Sequence, residues 1–457
     1  MSQMTTGFAG RVMREFGYRV AAGSNSELVD GFADSRQVTP GALWVAFRGE
    51  SVDGNDYIEA ALGNGAAAVI CEREAEGEWP GRTIIVVPDS RVALSQLGEA
   101  WLRHCEPRVV GITGTVGKTT AKELTAAVLS GSFPVHRSKE NFNSLEGLPL
   151  ALVTLREEHA VAVLELAMDR PGEIGELCEL TRPEIGVVLN IGLTHVEKLG
   201  SIEAIAAEKL ALPRWLAPTG TAVLNADDPR VIGVRDELRC EVISFGLSED
   251  ADLRASGIEP EGLDGTRFVV TFEGRRIAAR SPLPGAHTLP AALSALAVAA
   301  ALGIDMDTSV EALNSARYEG RMTRRAGHNG STLLDDRYNS SPASLEGALK
   351  MLGLVQGRRL ALLGTMAELG PAAKTEHCRL GKVAATNCDV LAATGDPCRV
   401  LIESAQRSGL SGARWFADRD EAAAWVREQL QPGDTLLLKA SRSQAFEEIL
   451  PLLGAQS

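Results

Sequence analysis

Short apolar runs separated by amphipathic stretches recur along most of this 457-residue chain. The runs are rich in Val, Ile and Leu, which is typical of buried strands. The stretches between them have helical spacing, as in residues 57–62, 121–129, 201–212 and 289–304. Because strands that alternate with helices join into parallel sheets through crossover connections, the pattern predicts an α/β fold. The predicted strands are residues 43–47, 67–70, 83–87, 108–110, 161–164, 186–189, 221–224, 266–272, 331–334, 359–363, 390–393, 413–416 and 435–438.

A glycine-rich stretch, residues 111–120, lies between a predicted strand and a predicted helix and reads Gly-Ile-Thr-Gly-Thr-Val-Gly-Lys-Thr-Thr. Ile112 takes the place of the first glycine in the phosphate-loop pattern G-x-x-x-x-G-K-[ST]. Glycines let backbone N–H groups converge on an anion, and the helix N-terminus adds partial positive charge. Lys118 supplies a cation, and the Thr119 hydroxyl can reach a Mg²⁺ ion. The stretch predicts a site for nucleotide phosphates; the alternative is a turn without a ligand.

The length of the chain and the grouping of its strands predict three domains. These are a small N-terminal α/β domain over 1–107, a central P-loop domain with a parallel sheet over 108–316, and a C-terminal Rossmann-like, doubly wound domain over 317–457. Ligands of open parallel sheets bind outside the carboxyl ends of the strands. We therefore expect that edge of the C-terminal domain to face the phosphate loop across a cleft.

The composition of the chain bears on nucleic-acid binding, on membrane insertion and on cellular location. The 60 acidic and 46 basic residues give a net charge of -14, which argues against a nucleic-acid-binding surface. The long apolar segment 289–304 contains Pro290 and many alanines, so we expect a buried helix and no membrane span. We see no secretory signal, and seven cysteines without a C-x-x-C pair suit reduced thiols, so a cytoplasmic location is expected.

Three residues could bring metal-binding or catalytic groups to the phosphate loop. Glu165 closes an apolar strand, and His195 follows the next one, so both can reach the ligand-facing edge of the central sheet. Alone, each has an ordinary alternative, a surface glutamate or a satisfied polar histidine. Lys209 lies in a predicted helix and by itself is one more solvated lysine.

Two polar segments could contact ligands. Asn141-Phe142-Asn143 follows the helix after the phosphate loop, and its alternative is an ordinary turn. Residues 335–342 combine acids, an aromatic hydroxyl and an amide at a strand-to-helix turn. A helix N-cap explains Ser341 or Ser344, but hardly the whole cluster.

Several of these motifs, taken in order, resemble the signature of the Mur ligases over almost the whole chain. The matching segments are residues 113–120, Glu165, Asn190-Ile191-Gly192 with His195, Gly320-Arg321-Met322 and Asp336-Arg337-Tyr338-Asn339. Within that family the chain most resembles the ligases that add D-alanyl-D-alanine to UDP-N-acetylmuramoyl tripeptide. This closer resemblance is carried by Asp336 to Ser344, Leu363 to Gly370 and Lys439 to Ser443.

The resemblance implies a set of nucleotide and metal contacts. Thr119 and Glu165 would bind one Mg²⁺, and Glu165, His195 and a carbamoylated Lys209 would bind a second. Lys118, His195 and Lys209 would be the catalytic residues. The implied ATP-binding residues are Thr113, Gly114, Thr115, Val116, Gly117, Lys118, Thr119, Thr120, Asn141, Arg321 and Asp336.

The resemblance also implies the substrates. Ser35, Arg36, Arg48 and Gly49 match contacts to the uridine nucleotide, and Tyr338 and Asn339 are further candidate substrate contacts. The implied activity is an ADP-forming amide ligase, acting through an acyl phosphate in peptidoglycan precursor synthesis, in a chain expected to be monomeric. Alternatives are a Mur-type ligase for another amino acid, a folylpolyglutamate-synthase-like ligase and a non-catalytic nucleotide-binding protein.

This sequence departs from the family pattern at a few positions. Thr288 stands where the family commonly has an asparagine near the adenine, and Pro290 follows it. Leu166-Ala167-Met168-Asp169 replaces a more usual glycine-containing run, and Ala440 replaces a glycine. These departures bear on the adenine contacts and on substrate preference.

Overall fold

Three β-sheets, each with its own helices, organise the computed structural model, which describes residues 2–49, 51–139, 142–194, 196–317 and 322–454. We call the three parts the N-terminal, central and C-terminal units. The prediction of three successive α/β units is confirmed.

The N-terminal unit contains a five-stranded sheet in the order β1-β5-β4-β3-β2. Strands β2 to β5 are parallel to their neighbours, and β1 is antiparallel to β5. The strands are β1 Arg19–Ala21, β2 Gly31–Phe32, β3 Leu43–Val45, β4 Ala68–Cys71 and β5 Thr83–Val86. The helices are α1 Thr6–Glu15, α2 Ile58–Gly63 and α3 Ser90–Cys105, with 3₁₀ turns at Ser35–Gln37 and Gly54–Tyr57.

The central unit contains a nine-stranded sheet in the order β14-β13-β12-β11-β10-β9-β6-β8-β7. Its strands are β6 Arg108–Thr113, β7 Val135–Arg137, β8 Val161–Glu165, β9 Ile185–Val188, β10 Thr221–Asn225, β11 Glu241–Gly246, β12 Leu253–Pro260, β13 Thr266–Phe272 and β14 Arg275–Ser281. Strands β6 to β12 pair in parallel, and β13 and β14 continue the sheet in antiparallel register. The predicted β-rich patch at 266–272 is therefore the middle strand of an antiparallel extension of the same sheet.

The helices of the central unit cover both faces of its sheet. They are α4 Lys118–Leu129, α5 Gly147–Leu152, α6 Glu173–Thr181, α7 Val196–Leu199, α8 Ile202–Lys209, α9 Ala211–Trp215, α10 Pro229–Ile232, α11 Leu289–Ala301 and α12 Met306–Ser315, with 3₁₀ turns at Arg235–Glu237 and Ala286–Thr288. The single helix predicted over 201–212 is wrong, because α8 ends at Lys209 and α9 follows it. Pro213 lacks the N–H that would continue the helical bonding from Lys209, which explains the break.

The C-terminal unit contains a six-stranded sheet in the order β15-β16-β20-β17-β18-β19, in which only β15 is antiparallel to its neighbour. The strands are β15 Thr323–Ala326, β16 Thr332–Asp335, β17 Arg359–Leu363, β18 Val390–Thr394, β19 Ala413–Phe416 and β20 Thr435–Lys439. The helices are α13 Pro342–Leu352, α14 Ala373–Asn387, α15 Cys398–Arg407 and α16 Arg419–Gln429. Short 3₁₀ turns lie at His328–Gly330, Gly370–Ala372, Arg442–Gln444, Phe446–Ile449 and Pro451–Leu453.

The N-terminal and central units share one apolar core. Trp101 of α3 is buried, and its indole N–H donates to the Leu155 carbonyl of the central unit at 3.0 Å. Gly98 of α3 lies so close to Pro149 that a Cβ at position 98 would stand 3.0 Å from the proline Cβ. The C-terminal unit, in contrast, builds its two buried clusters almost entirely from its own residues.

Helix α11 is the apolar segment that the sequence pattern singled out. It is buried against α4 and the central sheet, as predicted for a core helix. Pro290 is its second residue, where a missing N–H costs no helical hydrogen bond. In the described ranges, no helix combines the length and hydropathy that a bilayer span requires.

Candidate active site

The phosphate loop joins β6 to α4, as the sequence predicts, but α4 begins at Lys118, three residues earlier than expected. Gly117 occupies the N-cap with a φ of 88°, a backbone conformation that favours glycine. At Gly114 a Cβ would stand 2.9 Å from the Cβ of Leu189, so a larger residue would displace the neighbouring loop. Ile112 is buried within β6, which explains why the first glycine of the pattern can be absent.

Asn190, after β9, fixes the shape of the loop. Its backbone carbonyl accepts the Thr115 N–H at 3.0 Å, and its side-chain Oδ1 accepts the Val116 N–H at 2.9 Å. Its Nδ2 donates to the Val116 carbonyl at 2.9 Å. The N–H groups of Thr115 and Val116, which were expected to face phosphate, therefore donate to Asn190 and stabilise the loop. Helix α4 follows directly and begins with Lys118, Thr119 and Thr120, and the N-terminus of a helix favours anions.

Thr113 ends β6 beneath the loop. Its side chain is fully buried, and its Oγ1 has no hydrogen-bond partner among the described residues. An unsatisfied buried hydroxyl costs free energy unless a ligand or water supplies the partner.

Glu165 and Thr119, the two residues predicted to share a Mg²⁺, are in direct contact. The Thr119 hydroxyl donates to one carboxylate oxygen of Glu165 at 2.8 Å, and the Asn143 amide donates to the other at 2.9 Å. Glu165 ends β8, is only 2% exposed, and donates its own N–H to the Ser138 hydroxyl at 3.3 Å. The sequence indicated the segment 141–143 but gave no role to Asn143 or Ser138. Only their folding onto the end of β8 reveals one.

Lys209 reaches the same loop from the end of α8. Its ammonium group is buried, with the residue 2% exposed, and Nζ donates to the Gly114 carbonyl at 3.1 Å. Burial, together with the nearby charge of Lys118, holds the pKa of Lys209 well below its usual value, although Glu208 and Glu165 act in the opposite direction. This lysine is therefore not the solvated surface residue that its position in a helix would suggest.

Three of the predicted residues, Asn141, His195 and Arg321, lie outside the described residues. The loop that leads to His195 nevertheless lies against the phosphate loop, because the Gly192 N–H donates to the Thr115 hydroxyl at 2.8 Å. Within the part of the chain that the structure describes, no cluster of three or more His, Cys, Asp or Glu side chains could hold a metal.

The predicted uridine-nucleotide contacts lie on two loops after neighbouring parallel strands. Ser35 begins a 3₁₀ turn after β2, and the exposed Arg36 pairs with Asp34 at 2.8 Å. Arg48 and Gly49 follow β3; the Arg48 carbonyl accepts a hydrogen bond from Arg91 at 3.0 Å. Both loops therefore occupy the carboxyl edge of the N-terminal sheet.

The N-terminal unit also touches the central unit at β2, close to the predicted 141–143 loop. There, Lys139 forms an ion pair with Asp30 and lies 5.9 Å from the ring centre of Phe32. The contact therefore joins β2 of the N-terminal unit to the segment that follows β7 of the central unit.

The C-terminal unit contributes a buried ion pair at the carboxyl edge of its sheet. Lys439 donates to the Asp336 carboxylate at 2.5 Å and to the Asn339 carbonyl at 2.9 Å. The Arg442 guanidinium lies 5.4 Å from the ring centre of Tyr338. The structure therefore brings Asp336 and Asn339 to Lys439 and places Tyr338 beside Arg442. Ser341 and Ser344 form the capping box of α13.

Two contacts place the C-terminal unit on the central unit. Gly347 of α13 lies against His287, so that a Cβ at position 347 would stand 2.5 Å from the His287 Cδ2. The Gly370 N–H donates to the Glu197 carboxylate at 3.2 Å, on the short helix α7 that follows position 195.

Comparison with known proteins agrees with this geometry. Family models match residues 32–101 (Mur ligase family, catalytic domain), 112–299 (Mur ligase middle domain) and 320–442 (Mur ligase, glutamate ligase domain). The UDP-N-acetylmuramoyl-tripeptide--D-alanyl-D-alanine ligase of Synechocystis is 34% identical and covers 93% of this chain and 91% of its own length. The ligase of the same name from Escherichia coli is 33% identical, with 92% of each chain covered.

The chain belongs to the Mur ligase family. Solved structures agree: MurF from Acinetobacter baumannii has a TM-score of 0.84 at 27% identity, covering 99% of this chain and 98% of its own. MurF ligase from Thermotoga maritima, solved in complex with ADP, has a TM-score of 0.78 at 28% identity, covering 93% and 96%.

Departures of this Mur ligase from the family pattern have local explanations. Thr288 ends a 3₁₀ turn, and its hydroxyl stabilises that turn by donating to the Gly285 carbonyl at 2.8 Å. Ala440 is buried opposite Gly364, where a Cβ on the glycine would stand 2.6 Å from the Ala440 Cβ. The glycine at 364 thus leaves room for the alanine at 440.

Proposed function

We propose that this protein is the ATP-dependent, ADP-forming ligase that joins D-alanyl-D-alanine to UDP-N-acetylmuramoyl tripeptide in peptidoglycan precursor synthesis. The relatives that share a third of its sequence over nearly its whole length carry this activity in their names. The observation that carries the proposal within the chain is the contact between Thr119 and Glu165 beside two lysines at the phosphate loop.

The reaction proceeds in two balanced steps. The terminal carboxylate of the tripeptide attacks the γ-phosphorus of ATP, the bond to the β,γ-bridging oxygen breaks, and ADP leaves. The amine of D-alanyl-D-alanine then attacks the acyl carbon, phosphate leaves with the former carboxylate oxygen, and the nitrogen loses a proton. Lys118 would neutralise charge on the transferring phosphoryl group, since this transfer depends mainly on positioning and electrostatics.

The oxygen donors at the site fit Mg²⁺. A carboxylate and a hydroxyl are hard ligands, and Mg²⁺ commonly binds through one or two carboxylates together with substrate phosphates and waters. Glu165 and Thr119 would hold the first ion, which supplies Lewis-acid stabilisation of phosphoryl charge. Glu165, His195 and Lys209 would hold a second.

Carbamoylation of Lys209 is part of the proposal. An amine becomes a nucleophile toward CO₂ only when it is neutral, and the depressed pKa of Lys209 favours the neutral form. The resulting carbamate would be an anionic oxygen ligand in place of a cation. The two lysines at the Gly114 carbonyl could then take different roles, with Lys118 on phosphate and Lys209 on metal.

The three units would divide the substrates between them. We place the uridine nucleotide on the N-terminal unit at Ser35, Arg36, Arg48 and Gly49, with domain boundaries near residues 107 and 316. ATP would bind the central unit, with Asn141, Arg321 and Asp336 completing its contacts. Tyr338 and Asn339 would approach the muropeptide from the C-terminal unit. The reaction belongs in the cytoplasm, where nucleotide-linked precursors are made.

Phosphate release measured with ATP, Mg²⁺, UDP-N-acetylmuramoyl tripeptide and D-alanyl-D-alanine tests the proposal. We expect release only when all four are present, with an amide product one dipeptide longer. Release that requires another amino donor would reject the acceptor and keep the ligase class. ATP binding without any product in a panel of donors would reject catalysis.

A further inference from the structure

Glu208, the residue before Lys209, has a buried carboxylate with two short hydrogen bonds. It is 8% exposed, and its two oxygens accept the Gly172 N–H and the Ile174 N–H, both at 2.7 Å. Both amides belong to the start of α6, on a different segment of the chain. Hydrogen bonds from N–H groups to a carboxylate are stronger than those between neutral groups.

Helix α6 lacks a capping side chain of its own. Its N-cap is Gly172, whose φ is 86° and which makes no side-chain cap bond. Glu208 fills that role from α8, and its negative charge faces the positive end of the α6 dipole. The carboxylate is therefore matched to the helix terminus both in geometry and in charge.

The last turn of α8 carries both Glu208 and Lys209, and their side chains bond to different segments of the chain. Lys209 donates to the Gly114 carbonyl of the phosphate loop, whereas Glu208 holds the segment that leads from Glu165 into α6. That segment is fixed further by the Ala167 N–H, which donates to the Asn143 carbonyl at 2.8 Å. The last turn of α8 thus links the loop to the strand end that carries Glu165.

We infer that Glu208 is a positioning residue that sets the separation of Lys209 and Glu165, and thereby the affinity of the enzyme for Mg²⁺. The inference rests on the proposed function, in which both residues are metal ligands. Mutation of a group that hydrogen-bonds to metal ligands and orients them typically lowers metal affinity or activity 10–100-fold. Nothing in the phosphate-loop pattern points to this residue.

Glu208→Gln tests the inference, because a glutamine can accept one amide N–H but presents its own NH₂ to the other. Three measurements apply to the full-length enzyme: hydrogen exchange of the α6 N-terminal peptide, Mg²⁺ titration of fluorescent ADP binding, which needs no turnover, and steady-state kinetics. We expect faster exchange at Gly172 and Ile174, an apparent Mg²⁺ constant raised about tenfold, and an unchanged KM for D-alanyl-D-alanine. Glu203→Gln, exposed on the same helix, is the matched control.

Lys209→Ala separates failure of this inference from failure of the proposed function. If Lys209→Ala raises the Mg²⁺ constant but Glu208→Gln does not, Glu208 only caps α6 and the inference is wrong. If neither variant alters Mg²⁺ dependence, Lys209 is not a metal ligand and that part of the proposed function fails. Glu208→Asp, which keeps the charge but shortens the reach, should give an intermediate constant and provides a second variant if glutamine prevents folding.

Discussion

Lys118 and Lys209 donate to the same acceptor, the carbonyl oxygen of Gly114, at 2.9 and 3.1 Å. Two ammonium groups that share one acceptor repel each other, and the repulsion is strongest where water is excluded. Since Lys209 is the buried one, it is the amine that loses its proton more easily. Burial therefore favours the neutral form of Lys209, the more buried lysine of the pair.

Removing the charge of Lys118 should abolish most of the chemistry. We expect Lys118→Met to lower kcat at least about a hundredfold, because the cation stabilises charge that develops on the phosphoryl group. Steady-state phosphate release measures the effect. Lys350→Met, at an exposed surface lysine, is the control and should leave kcat unchanged. A loss below tenfold at position 118 would mean that Lys118 does not touch the reacting phosphate.

Lys209→Ala should inactivate the enzyme in a way that added short carboxylic acids partly reverse. The reason is that a carboxylate can occupy the place of the proposed carbamate oxygen. The measurement is phosphate release by the variant with and without such acids. The same titration of Lys118→Met is the control and should show no rescue. Full activity of the unsupplemented variant would remove Lys209 from the metal site.

Asn190 should act on nucleotide affinity through the shape of the loop. Asn190→Ala removes both side-chain bonds to Val116, and we expect KM for ATP to rise about tenfold, equivalent to about 1.4 kcal/mol. Asn190→Asp should be no better, because its carboxylate faces the Val116 carbonyl without a proton to donate. The KM for D-alanyl-D-alanine serves as an internal control. An equal rise in both constants would indicate a general loss of structure.

His136, buried in β7, should make stability depend on pH. Burial, with the nearby charges of His159 and Lys122, lowers the pKa of His136 to about 3. Between pH 6.5 and 3 the unfolded chain binds a proton that the folded chain does not, so the free energy of unfolding falls as the pH falls. From about pH 6.5 to about pH 5 the loss is about 2 kcal/mol.

His136→Leu removes this contribution. We expect its free energy of unfolding to fall less than that of the wild type between about pH 7.5 and about pH 5, by about 2 kcal/mol. Urea unfolding at both pH values measures the difference, and His328→Leu, at a partly buried histidine, is the comparison. Parallel pH dependence in wild type and His136→Leu would show that folding does not lower the pKa of His136.

Gly347→Ala should separate stability from activity. Alanine favours α13 by about 0.5–1 kcal/mol relative to glycine, but its Cβ would press on His287 across the contact between the two units. We therefore expect that the melting temperature does not fall. We also expect a lower kcat, because the added Cβ would keep the C-terminal unit from its normal contact with the central unit. Gly353→Ala is unsuitable as a control, since Asn387 crowds it; Ser315→Ala at the end of α12 serves instead. An unaltered kcat would show that the His287 ring moves aside without cost.

Much of this architecture could be predicted from the chain alone because its signals are local. The predicted first and last residues of the strands at 266–272, 359–363 and 413–416 agree with the structure, since apolar runs and their turns mark these strands directly. The phosphate loop carries its chemistry within ten consecutive residues. Short edge strands such as β2 and β7 were missed because two or three residues carry no periodic signal.

The rest of the site depends on contacts between segments far apart in the chain. Nothing in the sequence near Asn143 or Ser138 shows that both would meet Glu165. The role of Glu208 also depends on the fold, because its partners lie more than thirty residues earlier. Lys209 was indicated only by resemblance, since a lone lysine in a helix has no pattern that predicts burial.

The common core beneath α3 constrains how the molecule can be divided and moved. Cutting the chain after α3 would expose Trp101 and its apolar neighbours, so a truncated N-terminal fragment should aggregate unless that face is redesigned. Because the first two units share this core, we expect them to move together, and we expect any large rotation during turnover to involve the C-terminal unit.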